Sequence, residues 1–245
     1  MKNYITLIAF YCFSIGLFGQ DNNLNSDDNN QKLITDRPDA TESPSTVPLK
    51  NLQIETGGLY TSIKDKDIKS ELFVYNNTLL RYGLLKNFEL RLAWVISESM
   101  ERINNQNSQT IASGFSPLVL GAKVAITKEK GLLPDIGLML HMAFPFLAAE
   151  SYKPETTSVS FRFAFGHTIN EKSSIAYNLG ARWEGDSPEV AYIYSISYGY
   201  GITEKLGAYA EVYGNFPEKL RANHFCNAGL TYLIKNNFQL DVTVG

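Results

Sequence analysis

Between residues 52 and 245 the chain sorts its connections by length, and that sorting limits the possible folds more than any other feature. Eleven segments read as strands: 52–61, 72–82, 88–98, 115–127, 135–146, 158–169, 174–184, 190–202, 206–216, 225–234 and 238–245. Tight connections at 84–87, 128–133, 170–172, 203–205 and 235–237 follow every even-numbered segment, while longer, more polar ones at 62–71, 99–114, 147–157, 185–189 and 217–224 follow the odd-numbered ones. A soluble β-sandwich has no reason to separate its loops this way. An up-and-down barrel in a membrane does, with short turns at one rim and long loops at the other. Most segments run about 9 to 13 residues, close to the roughly 9–11 that cross a bilayer at a tilt and longer than the usual globular strand.

Within the segments, side chains alternate with period two. In TLLRYGLLKNFELRLAWVI, Phe88, Leu90, Leu92, Trp94 and Ile96 fall on one face, and Glu89, Arg91, Ala93, Val95 and Ser97 on the other. This is a strand with an apolar and a polar side. The same pattern recurs with Phe161, Phe163 and Phe165 opposite Ser160 and Arg162, and with Ile175, Tyr177 and Leu179 opposite Asn178, Gly180 and Arg182. Aromatic residues gather at both ends of the strands, Tyr82, Phe88, Tyr200, Tyr232 and Phe238 by the short turns and Tyr60, Phe144, Phe146, Trp183 and Phe216 by the long loops, as in the two girdles of a membrane barrel. Asn76 and Thr78 fall on the face assigned to lipid, which leaves the register of the second segment open by one residue.

The N-terminus, MKNYITLIAFYCFSIGLFGQ, has a basic Lys2, an apolar run and a small Gly19, the layout of an export signal over residues 1–20. Removing it leaves Cys226 as the only cysteine, so no internal disulfide forms. Beyond it there is no run of 18 apolar residues, which excludes a transmembrane helix on length. A formal charge of −3 offers nucleic acid no attraction.

Residues 21–50 form a polar leader followed by an extended segment in which Pro38, Pro44 and Pro48 deny a regular ladder its donors. The charges of Asp36, Arg37, Asp39 and Glu42 crowd this segment. It either folds into the lumen as a plug or hangs in the periplasm. From residue 51 onward the expectation is an all-β, antiparallel barrel of about twelve strands. The eleventh segment stops in mid-strand at Gly245, so the last strand is expected to be missing from this sequence; a ten-stranded barrel with one non-spanning strand is the alternative.

With that alternation, Glu55, Arg81, Glu89, Arg91, Lys123, His141, Arg162, Arg182, Glu184, Glu211 and Asp241 face inward. Charges at membrane depth face the interior whether they line a conducting pore or knit a structural network, so both readings stand. Arg81 and Glu89, flanking one short turn, are placed to pair and hold it. Gly121, Gly180, Gly199, Gly201 and Gly229 read as inward positions where a small residue relieves crowding. The three histidines, His141, His167 and His224, lie at different heights and belong to no catalytic motif. No spacing suits a metal site and no glycine loop suits a phosphate, so no cofactor is expected.

The runs TDRPDATESPSTVPLKNLQIETG, NNTLLRYGLLKNFELRLAW, SPLVLGAKVAI and LPDIGLMLHMAFP resemble the outer-membrane transporter-like family labelled "putative meta-pathway of phenol degradation". The resemblance covers about residues 34–245 and is sharpest at Asp36-Arg37-Pro38-Asp39, Thr41-Glu42-Ser43 and Arg81-Tyr82-Gly83-Leu84. It implies a β-barrel in the outer membrane of a Gram-negative bacterium that takes up small hydrophobic or aromatic compounds. Outer-membrane lipid, the barrel-assembly machinery and a small-molecule solute are then the expected partners. The alternatives are a structural or adhesive barrel with a closed lumen and a lipid-modifying barrel enzyme.

Overall fold

The computed structural model describes residues 10–17, as backbone, together with 32–103 and 109–245. Thirteen strands form one sheet that closes on itself: β1 (Phe10–Leu17), β2 (Leu52–Asp65), β3 (Ile68–Leu85), β4 (Phe88–Ile103), β5 (Gln109–Phe115), β6 (Leu118–Thr127), β7 (Asp135–Phe144), β8 (Ser158–Asn170), β9 (Ser173–Trp183), β10 (Val190–Gly201), β11 (Leu206–Pro217), β12 (Asn223–Lys235) and β13 (Phe238–Val244). Each pairs antiparallel with its neighbours. Strands β5 and β6 pair with successive stretches of β4, the first with Ile96–Glu101 and the second with Phe88–Ala93. They make one broken stave, interrupted at Ser116 and Pro117, so the barrel has twelve staves.

The place between β13 and β2 that the strand count leaves vacant is taken by β1, paired to both. This strand lies inside the stretch that the sequence assigns to the export signal.

Two expected loops are strand. Strands β2 and β3 continue through 62–71 to a two-residue turn at Lys66 and Asp67, with Lys66 at φ 54. Strand β4 runs to Ile103 and β5 resumes at Gln109, so much of 99–114 is also hairpin. Charged residues such as Lys64, Asp65, Lys69 and Glu71 mask the β signal there, because these hairpins project past the apolar belt into water. At the other rim, Lys86 and Asn87 make the predicted tight turn, with Asn87 at φ 64, a conformation that favours Asn.

The interior is polar and the exterior apolar, the reverse of a soluble domain. Among the described residues, eighteen buried side chains are polar or charged and six are hydrophobic. Leu90, Leu120, Leu140, Phe163, Leu179, Ile196, Val212 and Leu230, one from each of eight adjacent staves, are exposed and form the outer belt. Asn76 and Thr78 lie on that outer face after a bulge between Val74 and Asn76. Thr56 and Thr78 share a hydrogen bond of 2.7 Å, and the Thr78 hydroxyl donates to Asn76 Oδ1 at 3.0 Å, so the polar groups facing lipid satisfy one another.

Candidate functional site: a loop held inside the barrel

Residues 33–50 run through the barrel interior. The segment enters beside the β12–β13 turn, where Leu33 N–H donates to Asn236 O (2.8 Å), and leaves beside β3, where Lys50 N–H donates to Gly83 O (2.7 Å). Its prolines prevent a ladder of its own, yet backbone groups away from water must find partners. The wall supplies them from side chains. Glu211 accepts from the N–H groups of Ala40 (2.9 Å) and Thr41 (2.6 Å), Glu55 from Asp36 N–H (3.1 Å), Glu89 from Val47 N–H (2.7 Å) and Asn178 from Glu42 N–H (2.7 Å). The carbonyls are met as closely: Arg81 donates to Ile34 O (3.1 Å) and Ser45 O (2.9 Å), Lys123 to Ser43 O (2.9 Å), Gln53 to Ile34 O (2.9 Å) and Arg162 to Ala40 O (3.2 Å). Irregular backbone at membrane depth survives only under such cover.

Glycine makes the close approach possible at two points. A Cβ on Gly83 would sit 2.0 Å from Pro48 O, and one on Gly137 2.7 Å from Pro44 O. The sequence reading named five other glycines as inward; these two hold the loop against the wall.

At the short-turn end the wall presents an ion cluster with Asp36 at its centre. The Asp36 carboxylate lies 2.6 Å from both Lys123 Nζ and Arg91 Nη1 and 3.3 Å from Arg81 Nε. Arg81 also grips Glu89 with two parallel hydrogen bonds, Nε to Oε1 at 2.9 Å and Nη2 to Oε2 at 3.0 Å, and reaches Glu55 at 3.0 Å. Glu42 pairs with Arg91 (2.5 Å) and approaches Arg162 (3.5 Å). On the wall, Arg81, Arg91, Lys123 and Arg162 face two nearby carboxylates, Glu55 and Glu89. The two carboxylates of the loop, Asp36 and Glu42, bring the charge to balance. Buried charge demands such balance. Burial opposes ionisation of both loop carboxylates, but Arg81, Lys123 and Arg91 hold Asp36 well below the usual carboxylate range, and Arg91 with its neighbours takes Glu42 down to about 2. Asp39 goes the other way: burial, with the Glu211 carboxylate adding to it, pushes it up to about 8.

The loop divides the lumen. An outer vestibule of about 640 Å³ is lined by Ala93, His141, Arg162, Arg182 and Glu184 among others. A chamber of about 460 Å³ on the short-turn side is lined by Ser173, Ser197, Tyr209 and Gln239 among others. Arg37, Pro38 and Asp39 border both.

Of the inward residues read from the sequence, Glu55, Arg81, Glu89, Arg91 and Lys123 meet in the cluster with Asp36. Glu211 holds the tip of the loop, and His141, Arg162, Arg182 and Glu184 line the vestibule. Asp241 is buried on β13, close enough to Tyr209 to act on it electrostatically. His224 accepts or donates a 2.8 Å hydrogen bond with Tyr194, and His167 stacks on Tyr177, so the three histidines do not assemble. The sequence reading gave no role to Gln53, Asn178 or Ser195. Their inward register was the only signal, since neutral polar residues add nothing to a charge census.

The fold and its interior define a transmembrane-type β-barrel with an internal loop pinned at the short-turn end. The chain belongs to the family described as "Putative MetA-pathway of phenol degradation", whose model matches residues 35–245. A comparison with curated proteins returned no match. Among solved structures, the chain is similar to the crystal structure of an outer membrane channel from Pseudomonas putida F1, at 10% identity and a TM-score of 0.45, covering 100% of this chain and 95% of that one.

Proposed function

We propose that the protein is an outer-membrane channel for small solutes, hydrophobic or aromatic ones included, in a Gram-negative bacterium. In the form described here residues 33–50 act as its plug. The observation that supports this reading is the pair of polar-lined cavities, one toward each end of the barrel, parted by the three residues Arg37, Pro38 and Asp39. A barrel meant only as an anchor would gain from filling that volume. The family description, with its link to phenol degradation, agrees with such solutes. Outer-membrane lipid and the barrel-assembly machinery are the partners such a protein requires.

The charge-balanced ion cluster favours a second reading, a structural barrel sealed at its base. Liposome swelling separates the two. Asp36→Asn removes the charge on which Lys123, Arg91 and Arg81 converge and loosens the plug, so proteoliposomes carrying it swell several-fold faster in small sugars than the wild type. Equal, negligible swelling of both supports the sealed barrel.

A further inference from the structure

Above the loop tip, residues of the wall from β8 to β12 line a separate cavity of about 230 Å³, and no acidic side chain is among them. Arg162 spends Nη1 on Ala40 O and lies 3.5 Å from Glu42, which is already committed to Arg91, while its Nε has no partner. Arg182 has one ionic neighbour, the half-exposed Glu184, 2.6 Å from its Nε in a geometry that makes no hydrogen bond. Ser195 is 4% exposed, and its Oγ is also unpartnered. More than about 90% of buried polar groups find partners, and those of the ion cluster nearly all do. Two guanidinium groups and a hydroxyl around one cavity, with no carboxylate in its lining, suit a group with several acceptor lone pairs and a negative charge.

A carboxylate has both, and arginine is the side chain that grips it best. On the far side of the cavity stand Tyr213 and Phe225, cross-strand partners with ring centroids 5.4 Å apart and planes at 27°. They offer a flat apolar surface to a ring. The volume lies below the roughly 300–1,000 Å³ of pockets for drug-sized ligands, which limits the occupant to one ring.

We propose that this cavity binds a small aromatic carboxylate in transit, its carboxylate on Arg162, Arg182 and the Ser195 hydroxyl and its ring along Tyr213 and Phe225. The site rests on the channel reading and narrows its solute to an anion. Glu184 holds Arg182 until the solute carboxylate takes its place, a cheap exchange at an exposed pair.

Calorimetric titration of the purified, detergent-solubilised protein with benzoate, acetate and benzyl alcohol tests it. Benzoate binds one to one, and acetate and benzyl alcohol bind at least about tenfold more weakly, as each lacks one half of the recognition. Arg182→Gln, at a half-exposed position that leaves the fold intact, weakens benzoate by about tenfold, and Phe225→Ala weakens benzoate while leaving acetate unchanged. Benzoate binding no tighter than benzyl alcohol, or unaffected by Arg182→Gln, overturns the site. Potassium chloride conductance of the same preparations keeps the two readings apart: conductance without benzoate discrimination rejects the site alone, and benzoate binding without conductance in wild type or plug-deleted protein rejects the channel alone.

Discussion

The two ends of the lumen use the same kinds of residue differently. At the short-turn end, Arg81, Arg91 and Lys123 are closed in by Asp36, Glu42, Glu55 and Glu89. In the outer half, Arg162 and Arg182 face cavities with donors to spare. Both sets alternate inward, the first on β3, β4 and β6 and the second on β8 and β9, so direction alone does not separate them. What separates them is the supply of acceptors: a buried network of paired charges rigidifies its surroundings, whereas no carboxylate lines the cavity beside Arg162 and Arg182. The first end anchors the loop, and the second leaves cavities open above it.

Breaking one residue at each end should expose the contrast. Arg81→Met strands Glu55, Glu89 and Asp36 in a buried site, and removing one partner of such a set costs about 3–5 kcal/mol. Arg182→Gln touches one exposed pair, where less than about 1 kcal/mol is at stake. Urea unfolding in lipid bilayers measures both. Similar losses at the two positions would erase the distinction between anchor and vestibule.

A smaller effect comes from pH. Asp39 titrates near 8 in the folded protein, above its unfolded value of 3.8. Its contribution is fully present below the unfolded value and is lost as pH rises through about 8, when a second carboxylate appears beside Glu211, with Asp36 and Tyr209 also within electrostatic reach. The loop tip loosens, and conductance is expected to climb from about pH 5 to about 8 and to level off above it. Asp36 and Glu42 act with the opposite sign, holding the loop above the ordinary carboxylate range and failing only as pH falls toward 2. Between about pH 5 and 8 the contribution of these two is constant, so the change there is that of Asp39. Asp39→Asn should abolish this rise, and a rise that persists would assign it to another group.

These contrasts also mark how far the sequence could be read. The barrel was legible because period two and the sorting of turns from loops are local patterns, visible in stretches as short as Phe88 to Ile96. The projecting hairpins were not, since Lys64, Asp65, Lys69 and Glu71 look like loop residues once strands leave the apolar belt. The choice between a loop inside and a tail outside stayed open for a different reason. Asp36 meets Lys123 across 87 positions and Thr41 meets Glu211 across 170. Pairings so distant leave no periodic trace, and the prolines that mark the segment as irregular fit either placement. The turn pair of Arg81 and Glu89, eight residues apart, was within reach of local reasoning and is present.

The central claim is that residues 33–50 close a barrel that is otherwise passable, and single-channel recording in planar bilayers tests it most directly. Deleting residues 35–43 removes Asp36, the Arg37–Ala40 tip and Glu42 while leaving every strand in place. The deleted form should show a steady conductance several-fold above the small or intermittent openings of the wild type. Unchanged conductance in a deletion that still folds, shown by heat-modifiable electrophoretic mobility, would contradict the plug.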